Sequence, residues 1–311
     1  MRTVNQTKDS GCILVGLGAS QNFLFLTFTI FLLLYIATLF VNIITIALFV
    51  GSRHLHSPMY FFLAQLSLCD ILLSTNVLPA LLCALLRGGL AMSTSGCITQ
   101  FYSCCSVAAA ECFILAVMSF DRYVAICNPL RYICIMNIRL SVHLVISSWF
   151  SGLLFCLIFA IMTSRLYFCG FIVINYTYCD FAPLIEVSCS DTTDVERLAI
   201  VVTLPVAIFP FLFIILTYIR IFVSILQTSN SSARHKSFST CSSHLSVVCT
   251  FYSIIIAKYA VPTNGQSLNR SKVISLLYTV VTPLLNPIIY SLRNTEIRKA
   301  FIKIISNSMG K

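Results

Sequence analysis

Long apolar stretches alternate with short polar connections along this chain. Seven are continuous enough to stand out: Phe23–Val50, Pro58–Leu86, Cys97–Ile126, Leu140–Ser164, Leu198–Leu226, Phe238–Val261 and Val273–Leu292. A helix needs about 20 apolar residues to cross a bilayer core of about 30 Å. Strands of a membrane barrel would instead show segments of roughly ten residues with alternating polarity. Helices and closed barrels are the only backbone arrangements that leave no unpaired polar groups in lipid. The pattern therefore predicts an all-α membrane protein, a bundle of seven transmembrane helices. Residues 1–22 read as a polar tail, 23–292 as the bundle and 293–311 as a second tail. Ile297, Phe301 and Ile304, with basic residues between them, predict a short amphipathic helix lying on the membrane after segment 7.

Composition agrees with burial in lipid. The 311 residues are 58% hydrophobic and only 10% charged, against about 25% charged in soluble domains. Mean hydropathy is +0.93. The net charge of +10 does not point to nucleic acid, because the basic residues are scattered over loops and helix ends. They follow topology instead. The connections after segments 1, 3 and 5 and the C-terminal tail carry Arg53, Arg131, Arg139, Arg234, Lys236, Arg293, Arg298, Lys299, Lys303 and Lys311. Cytoplasmic loops carry such an excess, which predicts the N-terminus outside and the C-terminus inside. Asn5-Gln6-Thr7 is then an external glycosylation sequon at Asn5, and Asn175-Tyr176-Thr177 is a second one.

Most of the 15 cysteines lie in apolar runs and read as small hydrophobes. No paired Cys and His spacing suggests a metal, and no cofactor motif is present. Cys97, Cys169, Cys179 and Cys189 share the external face, where an oxidising environment implies two bridges in any of three pairings. Cys12 is left over.

Polar residues within membrane segments are costly and usually functional. Asp70 lies twelve residues from Pro58, and Glu111 twelve residues before Tyr123. At 1.5 Å per residue both sit about 18 Å deep. Two facing carboxyls there cannot both ionise without a cation or a shared proton. They read either as protonated structural acids or as an ion- or proton-sensitive hub. Pro287 frees a carbonyl one turn earlier in segment 7, and Asn286 is expected to pair with freed backbone or with Asp70. Tyr290 lies one turn further inward. At the cytoplasmic end of segment 3, Asp121-Arg122-Tyr123 places an acid and a base side by side where the helix leaves the membrane.

Four stretches together carry a family resemblance. They are Pro58-Met59-Tyr60-Phe61-Phe62-Leu63-Ala64-Gln65-Leu66-Ser67-Leu68-Cys69-Asp70; Val117-Met118-Ser119-Phe120-Asp121-Arg122-Tyr123-Val124-Ala125-Ile126-Cys127; Lys236-Ser237-Phe238-Ser239-Thr240-Cys241-Ser242-Ser243-His244-Leu245; and Pro283 to Asn294, ending Tyr290-Ser291-Leu292-Arg293-Asn294. In this order the chain resembles an odorant receptor of the rhodopsin-like G-protein-coupled class. The departures are mild. Ser119-Phe120 stands for Ala-Tyr, Val41 for Gly before Asn42, Thr217 for Ser before Tyr218, and Ser237 for Ala. Phe120 lacks a hydroxyl that the family has there.

The resemblance implies bridges Cys97–Cys179 and Cys169–Cys189. It also implies a small-molecule odorant as ligand, a stimulatory olfactory G protein that raises cAMP, receptor-transport chaperones, surrounding membrane lipid, and a place in olfactory cilia. It implies a switch of Asp121, Arg122, Tyr123, Tyr218, His244, Asn286, Pro287 and Tyr290. Arg122 is held until segment 6 swings outward. The foot of segment 6 reads Arg234-His235-Lys236 without an acid, so any latch must use Asp121 or hydroxyls such as Ser239 and Thr240. His244 reads as a neutral core hydrogen-bonding group, with titration near neutral pH as the alternative.

The ligand is expected in the outer half of the bundle. Cys104, Cys105, Ala108 and Ala109 share a face of segment 3, and Tyr252, Ile255 and Tyr259 share one on segment 6. Val202, Thr203 and Val206 close the wall. Such small and apolar groups suit an uncharged volatile. Segment 3 has no acid in its outer half to hold an amine. Lys258 is expected to snorkel to water, the alternative being capture of a ligand carboxylate. Two other readings compete: a receptor of the same fold for a non-odorant metabolite, and a proton-coupled transporter, which the lack of an inverted repeat disfavours. No nucleophile–base set suggests an enzyme.

Overall fold

The computed structural model describes residues 11–18, 21–52, 55–227, 231–262 and 265–293. Asn5, the amphipathic stretch 297–304 and the side chains of Ser239 and Thr240 lie outside the described residues.

Among the described residues, seven helices are long and apolar enough to cross a membrane. They are α1 (Gln21–Gly51), α2 (Pro58–Arg87), α3 (Thr94–Cys127), α4 (Ile138–Ser164), α5 (Thr193–Gln227), α6 (Ser231–Ala260) and α7 (Leu268–Arg293). Their ends follow local chemistry. Pro58 opens α2 with its fixed φ, and Gly88 closes it in the left-handed region at φ 68°, its N–H donating to Ala84 O. The Ser93 hydroxyl accepts from the Gly96 N–H at 3.0 Å and caps α3. Asn137 caps α4 by accepting from the Leu140 N–H at 2.8 Å.

Large apolar side chains face outward on α1 (Phe25, Leu33, Phe40), α4 (Phe150) and α5 (Phe209, Leu216). A water-soluble protein would bury these; here they meet lipid tails. Polar groups turn inward, including Asn42, Asp70, Glu111, His244 and Asn286. α3 is the central strut, packing on α2, α4, α5 and α6. Its contact with α4 is very close: a Cβ at Gly152 would lie 2.8 Å from Ser106 O and 2.9 Å from Ala110 N. Small residues permit such approach where no hydrophobic effect drives helices together.

Two helices carry π-turns, Leu204–Ile208 in α5 and Leu277–Val281 in α7. Single π-turns of this kind are rare and frequent at functional sites. The α7 distortion therefore has two parts. Pro287 lies inside the helix, and the carbonyl it frees, Pro283 O, accepts from Asn42 Nδ2 at 2.9 Å. Asn286 is left to bond elsewhere.

One end of the bundle carries a lid. Three short strands, β1 (Gly11–Leu14), β2 (Leu90–Ser93) and β3 (Ile172–Ile174), form a sheet in the order β2-β1-β3. β1 runs antiparallel to β2, with Gly11 opposite Ser93, and parallel to β3, with Cys12 opposite Ile172. Within the N-terminal segment, residues 11–14 form this strand and bury Cys12 and Leu14. Cys97 is bonded to Cys179 and Cys169 to Cys189, so the loop after α4 is tied to the head of α3. Lys272 of α7 donates to Gly16 O at 2.8 Å and to Asn175 Oδ1 at 2.7 Å, joining both halves of the lid. The second sequon is folded into it: Tyr176 and Thr177 are buried, and their hydroxyls bond Ser271 and Ser275.

Candidate functional site

Below the lid, the lid-side halves of α3, α5 and α6 carry the residues expected to line a ligand wall. A stripe at i, i+1, i+4, i+5 is broad, because successive residues turn by about 100°. The structure divides it. Ala108 stays among the core groups, and Cys104 turns toward α2, its thiol 3.2 Å from Asn76 Oδ1. Cys105 and Ala109 lie on the flank that meets α4. The Cys156 thiol reaches Cys105 at 2.9 Å, and Ala109 Cβ packs over Gly152. Those two residues take part in the contact with α4.

On α5, Val202 is buried, and the Thr203 hydroxyl donates to Ala199 O of its own helix at 2.7 Å. Val206 lies within the π-turn and is half-buried. On α6, Tyr252 is buried against Phe211, with ring centroids 4.6 Å apart, and Ile255 is half-buried. Tyr259 is 71% exposed.

Lys258 departs from the snorkelling expectation. Its Nζ lies 2.8 Å from Asp180 Oδ2 and donates to the Tyr178 hydroxyl at 2.8 Å. It also sits over the rings of Tyr178 and Tyr278, at 5.4 and 5.5 Å. The disulfide at Cys179 brings Asp180 over the bundle, and an acid within reach is a better partner for a cation than a long climb to water. Burial pushes the Tyr178 phenol well above its usual range and Asp180 adds to this, so the phenol stays protonated and donates to Asp180 at 3.3 Å. Sequence reading missed Asp180, Tyr178 and Tyr278. The available signal was a lysine one turn inside a membrane helix, which demands a counter-ion.

At mid-depth, Asn286 links the two buried carboxyls. Its Nδ2 lies 3.0 and 3.3 Å from the Asp70 oxygens and 3.5 Å from Glu111 Oε1. Of its two expected partners, Asn286 takes Asp70. Tyr290 is buried, and its hydroxyl has no hydrogen-bond partner among the described residues.

At the end opposite the lid, Asp121 is fully buried, and Arg122 pairs with it through both Nε and Nη2. The Tyr132 hydroxyl donates to Asp121 Oδ1 at 2.8 Å. Burial and the Asp121 charge both push the Tyr132 phenol upward, so it remains a donor. The Tyr218 hydroxyl bonds His244 Nδ1 at 2.7 Å, joining α5 to α6. Tyr123 borders a cleft of about 510 Å³ with Phe213 and Arg220. A second cleft of about 360 Å³ lies between α3, α4 and α5, lined by Phe113, Phe120, Ser151 and Phe209. Neither cleft contains any of the ten expected ligand residues.

The family model for olfactory receptors matches residues 31–308. The chain is 40% identical to olfactory receptor 1f45 of Rattus norvegicus over 306 residues, covering 98% of each protein. It is 41% identical to olfactory receptor 6Y1 of Homo sapiens over 301 residues, 97% of this chain and 93% of the relative. It is also 41% identical to olfactory receptor 5AP2 of Mus musculus over 303 residues, 97% of this chain and 96% of the relative. This multi-pass membrane protein belongs to the olfactory receptor family: it is an odorant receptor of the G-protein-coupled class and not an enzyme.

Proposed function

We propose that the receptor sits in the plasma membrane of olfactory cilia with its lid outside, binds a small uncharged volatile in the outer half of the bundle, and activates a stimulatory olfactory G protein that raises cAMP. The basic connections on the end opposite the lid support this orientation. Ala108, Cys104, Tyr252, Ile255 and Tyr259 would meet the ligand, with Val202, Thr203 and Val206 closing the α5 side. Apolar burial at about 25 cal/mol per Å² would hold such a molecule at modest affinity. Asn5 would carry a glycan, and surface delivery would use receptor-transport chaperones.

The observation that carries the reading is a series of buried polar clusters spaced from one end of the bundle to the other: Lys258 with Asp180 and Tyr178, then Asp70, Asn286 and Glu111, then Tyr218 with His244, and Asp121 with Arg122. Polar groups in membrane helices are retained where they do something. A ligand under the lid that tilts α6 would strain the Tyr218–His244 bond and give Arg122 new partners. Asp121, Arg122, Tyr123, Pro287 and Tyr290 would then form the cleft that receives a G-protein helix.

The test fills the site. Ala108→Trp should abolish cAMP responses to every odorant that activates the wild type, at unchanged surface expression and with chaperones supplied. A full response in that variant would place the ligand elsewhere.

A further inference from the structure

The chemistry left over around Lys258 bears on what the site accepts. A lysine ammonium has three donors and no acceptor. One donor goes to Asp180 and one to the Tyr178 hydroxyl. The third has no partner among the described residues. Asp180 is more fully used. Its Oδ2 faces Lys258 and the Tyr178 hydroxyl, and its Oδ1 accepts from the Phe181 N–H at 2.9 Å. The pair is neutral as a unit and shielded, with side-chain exposures of 19% for Lys258 and 14% for Asp180.

One further polar group lies beside it. The hydroxyl of Tyr278 is buried and has no hydrogen-bond partner among the described residues. Lys258 Nζ lies 5.5 Å from the centre of the Tyr278 ring. Buried hydroxyls in native proteins are nearly always bonded, and each exception calls for an explanation such as an unseen partner. Here the unmet donors are the third Lys258 N–H and the Tyr278 hydroxyl, and the acid beside Lys258, Asp180, is already taken.

We infer that this receptor selects neutral hydrogen-bond acceptors, of the aldehyde, ketone and ester class, and that Asp180 acts as the specificity residue that turns away carboxylates. A carbonyl oxygen can take the third Lys258 donor and a tyrosine hydroxyl without bringing a charge into the bundle. A carboxylate must share Lys258 with Asp180, placing two anions side by side. An amine meets the Lys258 ammonium, and the acid it would need is already taken. Other acceptor-free apolar molecules would leave the donors unmet, which costs affinity. This inference rests on the outer-half ligand site proposed above and adds its chemical class.

The experiment measures cAMP dose–response curves for aldehydes, methyl ketones, carboxylates and amines of matched chain length, with surface staining of each variant. The wild type should respond to the carbonyl compounds and rank carboxylates and amines far below them. Asp180→Asn keeps an acceptor oxygen but releases the Lys258 charge, and should move the carboxylate-to-carbonyl ratio by about tenfold or more toward carboxylates. Tyr278→Phe keeps both charges and serves if Asp180→Asn fails to reach the surface. It should weaken carbonyl compounds by roughly fivefold. A wild type that prefers carboxylates or amines overturns the inference. So does an unchanged ranking in Asp180→Asn at the surface, or an unchanged carbonyl response in Tyr278→Phe. If Ala108→Trp still blocks every ligand in those cases, the outer site stands and only its assigned chemistry falls. If Ala108→Trp blocks nothing, the site itself is misplaced.

Discussion

The molecule holds a buried acid–base pair at each end, and the two are built differently. Under the lid, Lys258 and Asp180 come from α6 and from the loop pinned by the Cys97–Cys179 bridge. At the opposite end, Asp121 and Arg122 are neighbours on one helix, steadied by the Tyr132 hydroxyl. A pair that joins separate elements fixes their spacing. A pair within one helix fixes no spacing between transmembrane helices, although Asp121 also holds the Tyr132 hydroxyl of the turn after α3. Arg122 can change partners without any helix losing its contacts, whereas parting Lys258 from Asp180 means parting α6 from the lid. The first pair is suited to shaping a site, and the second to a switch that turns over with little resistance.

This contrast sets the order of effects. Lys258→Met should be severe for stability, because it leaves Asp180 buried without its cation. Removing one partner of a buried pair costs about 3–5 kcal/mol. A markedly lower melting temperature of purified receptor, with reduced surface expression, is the expected result. An unchanged melting temperature would show that the lid pair does not fix the spacing. Tyr132→Phe should be mild and should act on signalling. It removes one hydrogen bond to Asp121, worth about 1 kcal/mol net, so ligand-free cAMP should rise by roughly fivefold at equal surface density. A fall, or no change, would show that Tyr132 does not help to hold the latch.

How much of this could be read from the chain depends on the reach of each signal. The seven helices follow from apolar runs, and the structure moves their ends by only a few residues. The larger shifts are at α5, which begins at Thr193 rather than Leu198, at α6, which begins at Ser231 rather than Phe238, and at α7, which begins at Leu268 rather than Val273. All three helices extend beyond the apolar window into polar sequence, where hydropathy carries no information. The Asn286–Asp70 contact was one of two options visible in sequence, and the freed Pro283 carbonyl, taken by Asn42, accounts for the choice. The lid was not legible. Strands of three or four residues leave too short a pattern, and β1 pairs with two strands far away in sequence. The Lys258–Asp180 pair was hidden for the same reason, since only the folded loop brings the acid over α6. The turn of Cys105 and Ala109 toward α4 depends on Gly152, whose closeness to α3 no helical pattern reveals.

The central claim is that odorant binding under the lid is read out by release of Arg122 at the other end. Its most direct test is ligand-driven cAMP from Arg122→Ala, with surface receptor quantified in the same cells. The account predicts normal surface expression with the odorant response abolished. A normal response at normal expression would contradict it.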